Sequence, residues 1–198
     1  MKVYNFSPGP AKLDSSIISK SQEAMYNFQN TGLSILEIGH RSKEFEKLMN
    51  SLQENIRNIF NVPTNYFTLF LQGGATFQNT FIANNFDMRD KELGCLVTGT
   101  WGKNTFDDFS KIRETKLIEL SQDEIENFVE SGEDLKNVDY LHLTSNETIN
   151  GVQLREFNKI NHDSLLIDMS SDIGSYRFEW DNVASVSYTH LTLPTRAQ

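Results

Sequence analysis

The chain has 198 residues, of which 38% are hydrophobic and 23% are charged, a composition typical of a globular protein rather than a disordered or collagen-like one. Its 18 basic and 27 acidic residues give a formal net charge of −9 at pH 7, which argues against a nucleic-acid partner because such proteins carry basic surfaces. The one cysteine, Cys95, excludes an internal disulfide and favours a reducing compartment.

The sequence carries neither a membrane span nor an export signal. No apolar run approaches the roughly 20 residues that cross a bilayer, and residues 1–10 lack the apolar core of a signal peptide. We therefore expect a cytoplasmic protein without a membrane partner, and we predict no metal site.

Two helices are predicted in the first third of the chain. From Asp14 onward apolar residues recur near a 3.6-residue period, and the same period is stronger over residues 42–60. Pro63 is expected to end the second helix. The apolar run at residues 66–71 predicts a strand, two glycines follow it at once, and residues 76–86 return to a helical pattern.

The middle of the chain alternates between predicted strands and helices. The predicted strands lie at residues 93–98, 115–120, 138–143 and 165–167. Ser121 and Glu124 form a candidate capping box before a helix. This alternation favours an α/β fold, with a mainly parallel sheet flanked by helices.

Residues 185–198 differ in composition from the rest of the chain. They contain no acidic residue and no lysine, whereas residues 1–184 hold all 27 acids and 17 of the 18 bases. They also resemble the translation of a sequencing adapter. We therefore expect an N-terminal segment and an incomplete large domain over residues 1–184, followed by a non-native tail over residues 185–198. A natural tail is the alternative.

A glycine-rich loop, Gln-Gly-Gly-Ala-Thr at residues 72–76, leads into the predicted helix at residues 76–86. A helix N-terminus presents free N–H groups and a partial positive charge, and glycines allow an anion to approach closely. With the Thr76 hydroxyl as a further donor, the loop could hold a phosphate. It is neither a Walker loop nor a dinucleotide motif, and a tight turn without a ligand is the alternative.

Three other side chains are candidates for binding. Trp101 follows a predicted strand and is flanked by glycines, so its indole could stack on a planar ligand or pack in the core. Arg41 precedes the predicted helix at residues 42–60 and could hold a carboxylate or phosphate through two parallel hydrogen bonds. A solvated Arg41 beside a capping His40 is the alternative.

Polar residues also follow two further predicted strands. The turn at residues 146–151 comes after one, and Asp168 comes after the other. A buried carboxylate is costly unless it is paired, and a protonated pyridine nitrogen would pair with Asp168; capping of the following turn is the alternative. Ligands of open α/β sheets bind at the carboxyl ends of strands, so these positions together predict a site for pyridoxal 5′-phosphate.

Several segments in the same order resemble the phosphoserine aminotransferases, a family of fold-type I, class V pyridoxal-phosphate enzymes of serine biosynthesis. The segments are residues 5–11 (NFSPGPA), 37–45 (EIGHRSKEF), 61–63 (NVP), 71–76 (LQGGAT), 146–151 (NETING) and 168–172 (DMSSD). The resemblance covers nearly all of residues 4–184. It implies transfer of an amino group between L-glutamate and 3-phosphohydroxypyruvate, giving 2-oxoglutarate and phosphoserine, by a homodimer.

The resemblance also implies roles for individual residues. Ala75 and Thr76 fall where the family binds the cofactor phosphate. Trp101 falls at the position that stacks on the cofactor ring, Thr148 at the position that bonds the ring hydroxyl, and Asp168 at the partner of the pyridinium nitrogen. Both His40 and Arg41 fall in the segment that holds the acidic side-chain group of the substrate.

One residue of the family pattern is missing. The resemblance implies a Schiff-base lysine beyond Asp168, but the last lysine of this chain is Lys159, which matches no motif. We therefore expect a partial large domain that stops before this lysine and lacks the C-terminal small domain, and an inactive chain. Another class V aminotransferase or desulfurase, and a non-catalytic remnant that binds a phosphorylated ligand, are the alternatives.

Overall fold

The computed structural model describes residues 4–5, 12–86, 90–131, 135 and 137–189. The described residues divide into two compact units, the first up to Leu69 and the second over residues 70–189. Among the described residues, no helix combines the length and the apolar composition needed to cross a bilayer.

The first unit contains two α-helices, as the sequence predicts. Helix α1 spans Ser15–Tyr26 and begins where the Asp14 side chain accepts a hydrogen bond from the Ser16 N–H. Helix α2 spans Lys43–Phe60. None of the residues of α1 is buried, so the apolar residues that predict this helix do not form a buried face within the first unit. Two short 3-10 helices, Phe28–Asn30 and Ile35–Glu37, connect α1 to α2.

The second unit is built on a five-stranded sheet in which every pairing is parallel. In chain order the strands are β1 Leu93–Val97, β2 Thr115–Glu119, β3 Tyr140–Thr144, β6 Leu165–Asp168 and β7 Val183–Ser187. Their spatial order is β2-β1-β3-β6-β7. Two short strands, β4 Asn146–Glu147 and β5 Val152–Gln153, form a separate antiparallel pair.

Three helices accompany the sheet: α3 Ala75–Asn85, α4 Thr100–Ser110 and α5 Gln122–Ser131. Successive strand residues point to opposite faces of a sheet, and two buried clusters reflect this. One cluster joins α3 and α4 to the sheet through Ile82, Phe109, Cys95 and Leu166. The other joins α5 to the sheet through Ile125, Phe128, Leu96, Leu143 and Leu165. The predicted α/β fold with a mainly parallel sheet is confirmed.

Two expectations about strands need correction. Residues 66–71 do not form a strand; they pair with no described strand, and Phe67 and Leu69 are 89% and 69% exposed. Strand β7 was not expected, and the predicted boundary between residues 184 and 185 falls inside it. The prediction that residues 185–198 are non-native stays a prediction, and residues 190–198 lie outside the described residues.

Candidate functional site

The carboxyl ends of three adjacent strands bring together most of the predicted site residues in the second unit. Strands β1, β3 and β6 are neighbours in the sheet. Trp101 follows β1 at the start of α4, Thr148 follows β3 through the short strand β4, and Asp168 is the last residue of β6. Parallel strands end at the same edge of a sheet, so this edge is where a ligand of an open α/β fold would bind.

Two side chains from the β4–β5 hairpin cap the N-terminus of α4. The Thr100 N–H and the Thr100 hydroxyl both donate to Oδ1 of Asn150, each at 2.9 Å. The Trp101 N–H donates to Oε2 of Glu147 at 2.7 Å, and the Gly102 N–H donates to Oε1 at 2.6 Å. The first N–H groups of a helix have no partner within it, so these bonds satisfy them and fix the start of α4.

Glu147 is fully buried. Burial raises the pKa of its carboxyl group, the N–H groups of Gly102 and Trp101 lower it, and the nearby carboxylate of Asp168 raises it. No lysine or arginine in the described part of the chain forms an ion pair with Glu147, so the two helix N–H groups are its main stabilising partners.

Trp101 and Thr148 are in direct contact. The indole N–H of Trp101 donates to Oγ1 of Thr148 at 2.9 Å, although the two residues are far apart in sequence. The indole is 44% exposed, and Thr148 is exposed as well. The indole therefore presents surface for stacking, and the Thr148 hydroxyl, which already accepts one bond, keeps its own proton available for donation.

Asp168 is a buried carboxylate with an incomplete set of partners. Its Oδ1 accepts the Ser170 N–H at 2.8 Å, and no lysine or arginine among the described residues forms an ion pair with it. Burial raises the pKa of this carboxyl group, the bond from Ser170 lowers it, and the carboxylate of Asp172 raises it. A cationic donor is the partner that such a group lacks, because an unpaired buried charge is costly.

One further polar atom near Asp168 is buried without a partner in the described part of the chain. It is Oγ1 of Thr144, whose residue pairs with Asp168 in the β3–β6 ladder. Buried polar groups in native proteins are nearly always hydrogen-bonded. The unsatisfied hydroxyl beside Asp168 therefore fits a site that is completed by a polar ligand.

A second set of hydrogen bonds stabilises this edge of the sheet. The Ser145 hydroxyl donates to Oδ1 of the buried Asp172 at 2.6 Å, and Nε2 of Gln153 donates to its Oδ2 at 3.1 Å. The Ser145 N–H also donates to the carbonyl oxygen of Asp168 at 3.0 Å. These bonds hold the ends of β3 and β6 and the β4–β5 hairpin in one arrangement.

The predicted phosphate loop lies at the N-terminus of α3. Gly73 has a φ of +94°, and a Cβ there would come within 2.7 Å of the Phe77 side chain, so only glycine suits this position. Gly74 is the N-cap residue and provides no side-chain cap. Ala75 is half-buried and Thr76 is exposed. Unlike at α4, no side chain among the described residues accepts the Ala75 or Thr76 N–H, so these two groups are placed to bind an anion. The Phe77 N–H already donates to the carbonyl oxygen of Gly74 at 3.0 Å.

Helix α3 is tied to α4 by a side-chain hydrogen bond. Nδ2 of Asn79 lies 3.3 Å from Oγ1 of Thr105 and 3.4 Å from Oδ2 of Asp108.

An open groove of about 360 Å³ runs beside α4 at the ends of β1 and β2, lined by residues that include Thr98, Lys103 and Glu119. Neither Trp101 nor Asp168 lines this groove.

His40 and Arg41 belong to the first unit. Both are exposed and lie in the turn immediately before Ser42, the N-cap residue of α2. Their predicted role in holding the acidic group of a substrate stays a prediction.

Glu147 and Asn150 have no individual role in the sequence analysis, because residues that cap a helix about 45 positions away leave no local pattern.

Comparison with known families gives a match over almost the whole chain. The family model described as Aminotransferase class-V matches residues 3–185. The phosphoserine aminotransferase of Geobacillus kaustophilus is 37% identical over 189 residues, which cover 93% of this chain and 52% of that protein. The phosphoserine aminotransferase of Herpetosiphon aurantiacus is 37% identical over 182 residues, covering 90% of this chain and 51% of that protein.

Solved structures agree with this match. The phosphoserine aminotransferase from Bacillus circulans subsp. alkalophilus superposes with a TM-score of 0.83 at 32% identity, covering 94% of this chain and 53% of that one. The pyridoxal-phosphate-bound phosphoserine aminotransferase from Trichomonas vaginalis gives a TM-score of 0.74 at 27% identity, covering 94% and 57%. The chain spans about half the length of the curated relatives it matches.

Proposed function

This chain belongs to the class-V aminotransferase family, and from that premise we propose that it binds pyridoxal 5′-phosphate at the carboxyl ends of β1, β3 and β6. The observation that carries the proposal is the buried carboxylate of Asp168, which forms no ion pair with a lysine or arginine among the described residues. A protonated pyridine nitrogen supplies the cationic N–H that this carboxylate lacks.

The other residues at this edge fit the remaining parts of the cofactor. The exposed Thr148 hydroxyl would bond the ring hydroxyl, and the Trp101 indole would stack on the ring. The first N–H groups of α3, at Ala75 and Thr76, together with the Thr76 hydroxyl, would hold the phosphate. When bound, this cofactor supplies an electron-withdrawing ring that stabilises negative charge at the substrate carbon.

Asp168 has a defined chemical task in this arrangement. Burial raises the pKa of its carboxyl group, so the group is ionised most favourably when a positive partner lies against it. An ionised Asp168 accepts a hydrogen bond from the ring nitrogen and keeps a proton at that atom. The nearby carboxylates of Glu147 and Asp172 add negative potential at the same edge, which also favours a cationic group there.

We further propose that the complete protein transfers an amino group between L-glutamate and 3-phosphohydroxypyruvate, giving phosphoserine and 2-oxoglutarate, and that it acts as a cytoplasmic homodimer. The relatives are named for phosphoserine, one of these compounds, and the family resemblance implies the others. His40 and Arg41, exposed before α2, would hold the acidic group of the substrate, because an arginine binds such a group through two parallel bonds.

The 198-residue chain is expected to bind the cofactor reversibly without catalysing the transfer. Its last lysine is Lys159, the final residue of the 3-10 helix Phe157–Lys159, which pairs with the exposed Glu156. Lys159 lies in the connection that leads to the start of β6, whereas the proposed site lies at the carboxyl ends of the strands. Aminotransferase assays with the 198-residue chain and with the full-length protein test this difference directly.

The binding proposal is tested by ultrafiltration of the 198-residue chain with pyridoxal 5′-phosphate. Asp168→Asn keeps the shape of the side chain but removes its charge, so we expect the Kd to rise about tenfold or more, as befits the loss of a hydrogen bond to a charged group. Asp163→Asn, at an exposed position before β6, is the matched control. Equal affinity of Asp168→Asn and the unmodified chain would contradict the proposed site.

The substrate proposal is tested separately with the full-length protein. Activity with L-glutamate and 3-phosphohydroxypyruvate, and none with alanine as the amino donor, is the expected result. Activity with alanine alone would assign the protein to another class V aminotransferase while leaving the cofactor site intact.

A further inference from the structure

Glu147 has no part in the cofactor contacts described above, yet it is the most completely buried carboxylate at the site. It is 0% exposed, and both of its oxygens accept N–H groups of α4, from Trp101 at 2.7 Å and from Gly102 at 2.6 Å. One carboxylate that accepts two successive backbone donors fixes both the position and the rotation of the first turn of the helix.

The backbone around Glu147 leaves its carboxylate little room to move. A Cβ at Gly99 would lie 2.7 Å from Cγ of Glu147 and 2.7 Å from Oδ1 of Asn150. A Cβ at Gly102 would lie 3.1 Å from Oε1 of Glu147. The absence of side chains at these two glycines lets the carboxylate approach the helix end closely, so the position of Trp101 is set tightly.

The hydrogen bonds from Glu147 continue to the Thr148 hydroxyl. Glu147 holds the backbone of Trp101, and the indole N–H of Trp101 donates to Oγ1 of Thr148 at 2.9 Å. Thr148 follows Glu147 in the chain, so the three residues form a closed loop of covalent and hydrogen bonds. Because its oxygen accepts the indole N–H, the Thr148 hydroxyl must direct its own proton elsewhere.

We propose that Glu147 is a positioning residue of this site: it sets the orientation of the Trp101 indole and, through the indole N–H, that of the Thr148 hydroxyl. The importance of these two groups for the cofactor rests on the function proposed above. The orientation itself is a property of this chain and is measurable without any cofactor.

The test follows the indole N–H of Trp101 by hydrogen exchange in NMR spectra. The chain contains two tryptophans, so Trp180→Phe leaves a single indole signal and keeps an aromatic ring against Phe178. In this background Glu147→Gln retains the size of the side chain but replaces one acceptor oxygen by a donor group, which faces a backbone N–H. Glu126→Gln, at an exposed position of α5, is the matched control.

We expect Glu147→Gln to speed the exchange of the indole N–H about tenfold, the factor that corresponds to about 1.4 kcal/mol. Thr148→Val, which removes the acceptor, sets the scale for complete loss of the bond. Glu126→Gln should leave the rate unchanged, and the amide protons of β3 should keep their protection in all variants. An unchanged indole rate in Glu147→Gln, or a rise shared equally by the β3 amides, would overturn the proposal, since either makes Glu147 a purely structural cap.

A second measurement separates this inference from the proposed function. The affinity for pyridoxal 5′-phosphate is determined by ultrafiltration for the Trp180→Phe chain and its Glu147→Gln variant, and a severalfold weaker affinity of the variant is expected. If the Trp180→Phe chain itself does not bind the cofactor, the proposed function fails while the exchange experiment still decides the role of Glu147. If the chain binds and the variant binds equally tightly, the positioning role is contradicted.

Discussion

Two buried histidines in the second unit differ in the hydrogen bonds of their rings. His162 uses both ring nitrogens: Nδ1 accepts the Ser164 N–H at 3.0 Å, and Nε2 lies 3.0 Å from the carbonyl oxygen of Val138. His142, in the middle of β3, has no partner for either nitrogen in the described part of the chain, and its ring packs edge-on against Phe109. Burial lowers the pKa of His142 to about 3.

This difference predicts that His142 weakens the fold in acid. Between the ordinary pKa of 6.5 and the folded value of about 3, the unfolded chain binds a proton that the folded chain excludes, so the free energy of unfolding falls as the pH falls. The raised pKa values of Asp168 and Glu147 act in the opposite direction. They are common to the parent chain and to a variant at His142, so they cancel when the two are compared.

We therefore expect His142→Leu to gain stability over the parent chain as the pH is lowered. The difference in the free energy of unfolding should grow by about 1.4 kcal/mol for each pH unit well below 6.5, measured by urea unfolding at a series of pH values. His40→Leu, at an exposed position, serves as the control. A difference that does not change with pH would contradict the lowered pKa, because it would show that His142 binds protons equally in the folded and the unfolded chain.

At the same scale, the sequence predicts where some of these residues lie and misses others. Trp101, Asp168 and the turn at residues 146–151 could be placed at the carboxyl ends of strands, whereas Thr148 itself was singled out through the family resemblance. The structure brings the side chains of Trp101 and Thr148 into contact, and the roles of these residues toward a cofactor stay predictions. Glu147 and Asn150 could not be singled out, because capping of α4 depends on how the hairpin folds back over the strand ends.

Among the elements, the α-helices follow the sequence closely except for α4, Thr100–Ser110: the glycines near Trp101 favour a loop there, but the structure places Trp101 in the first turn of this helix. The prediction over residues 42–60 matches α2 because the Ser42 side chain accepts the Phe45 N–H at 3.2 Å, and because the apolar residues keep one face. The helix ends at Asn61, which adopts the left-handed conformation with a φ of 49°, before Pro63 is reached. The helix therefore ends where the sequence predicts, but Asn61 rather than Pro63 ends it.

The predicted strands agree less closely with the structure, because a strand forms only where another strand pairs with it. Residues 66–71 have the composition of a strand, but strand formation needs a partner, and none of the described strands lies alongside. The two-residue strands β4 and β5 are too short to show a period. Strand β7 is an edge strand in which two of the five residues are serines, so it lacks the continuous apolar run that is typical of a buried strand.

The N-cap of α2 provides the prediction at this scale. Ser42→Ala removes the acceptor for the Phe45 N–H, and loss of such a cap typically costs about 1 kcal/mol. Ser51→Ala, at an exposed position inside the same helix, should change the stability little, since alanine is a good helix former. Thermal unfolding followed by circular dichroism compares the two, and equal melting temperatures would argue against a capping role for Ser42.

On the scale of the whole molecule, the carboxyl-terminal part of the described chain completes the sheet beside the site. Val183 is buried, and the Met169 N–H donates to the carbonyl oxygen of Ser187 at 2.8 Å. Ser187 pairs with Asp168 in the β6–β7 ladder. Such bonds involve only the backbone, so residues 185–187 can form β7 whether or not they are native to this protein.

Two truncations separate the contribution of β7 from that of the predicted tail. A chain ending at residue 182 lacks β7, leaves the backbone of β6 without partners on one side, and exposes the end of the strand that carries Asp168. An unpaired edge favours aggregation, so we expect this chain to unfold at a clearly lower urea concentration and to bind pyridoxal 5′-phosphate weakly. A chain ending at residue 189 retains β7 and should match the 198-residue chain in both measurements, as expected if the last residues are a non-native tail. If the chain that ends at residue 189 were less stable than the 198-residue chain by about 1 kcal/mol or more, the predicted non-native tail would be contradicted, because only a packed segment contributes so much.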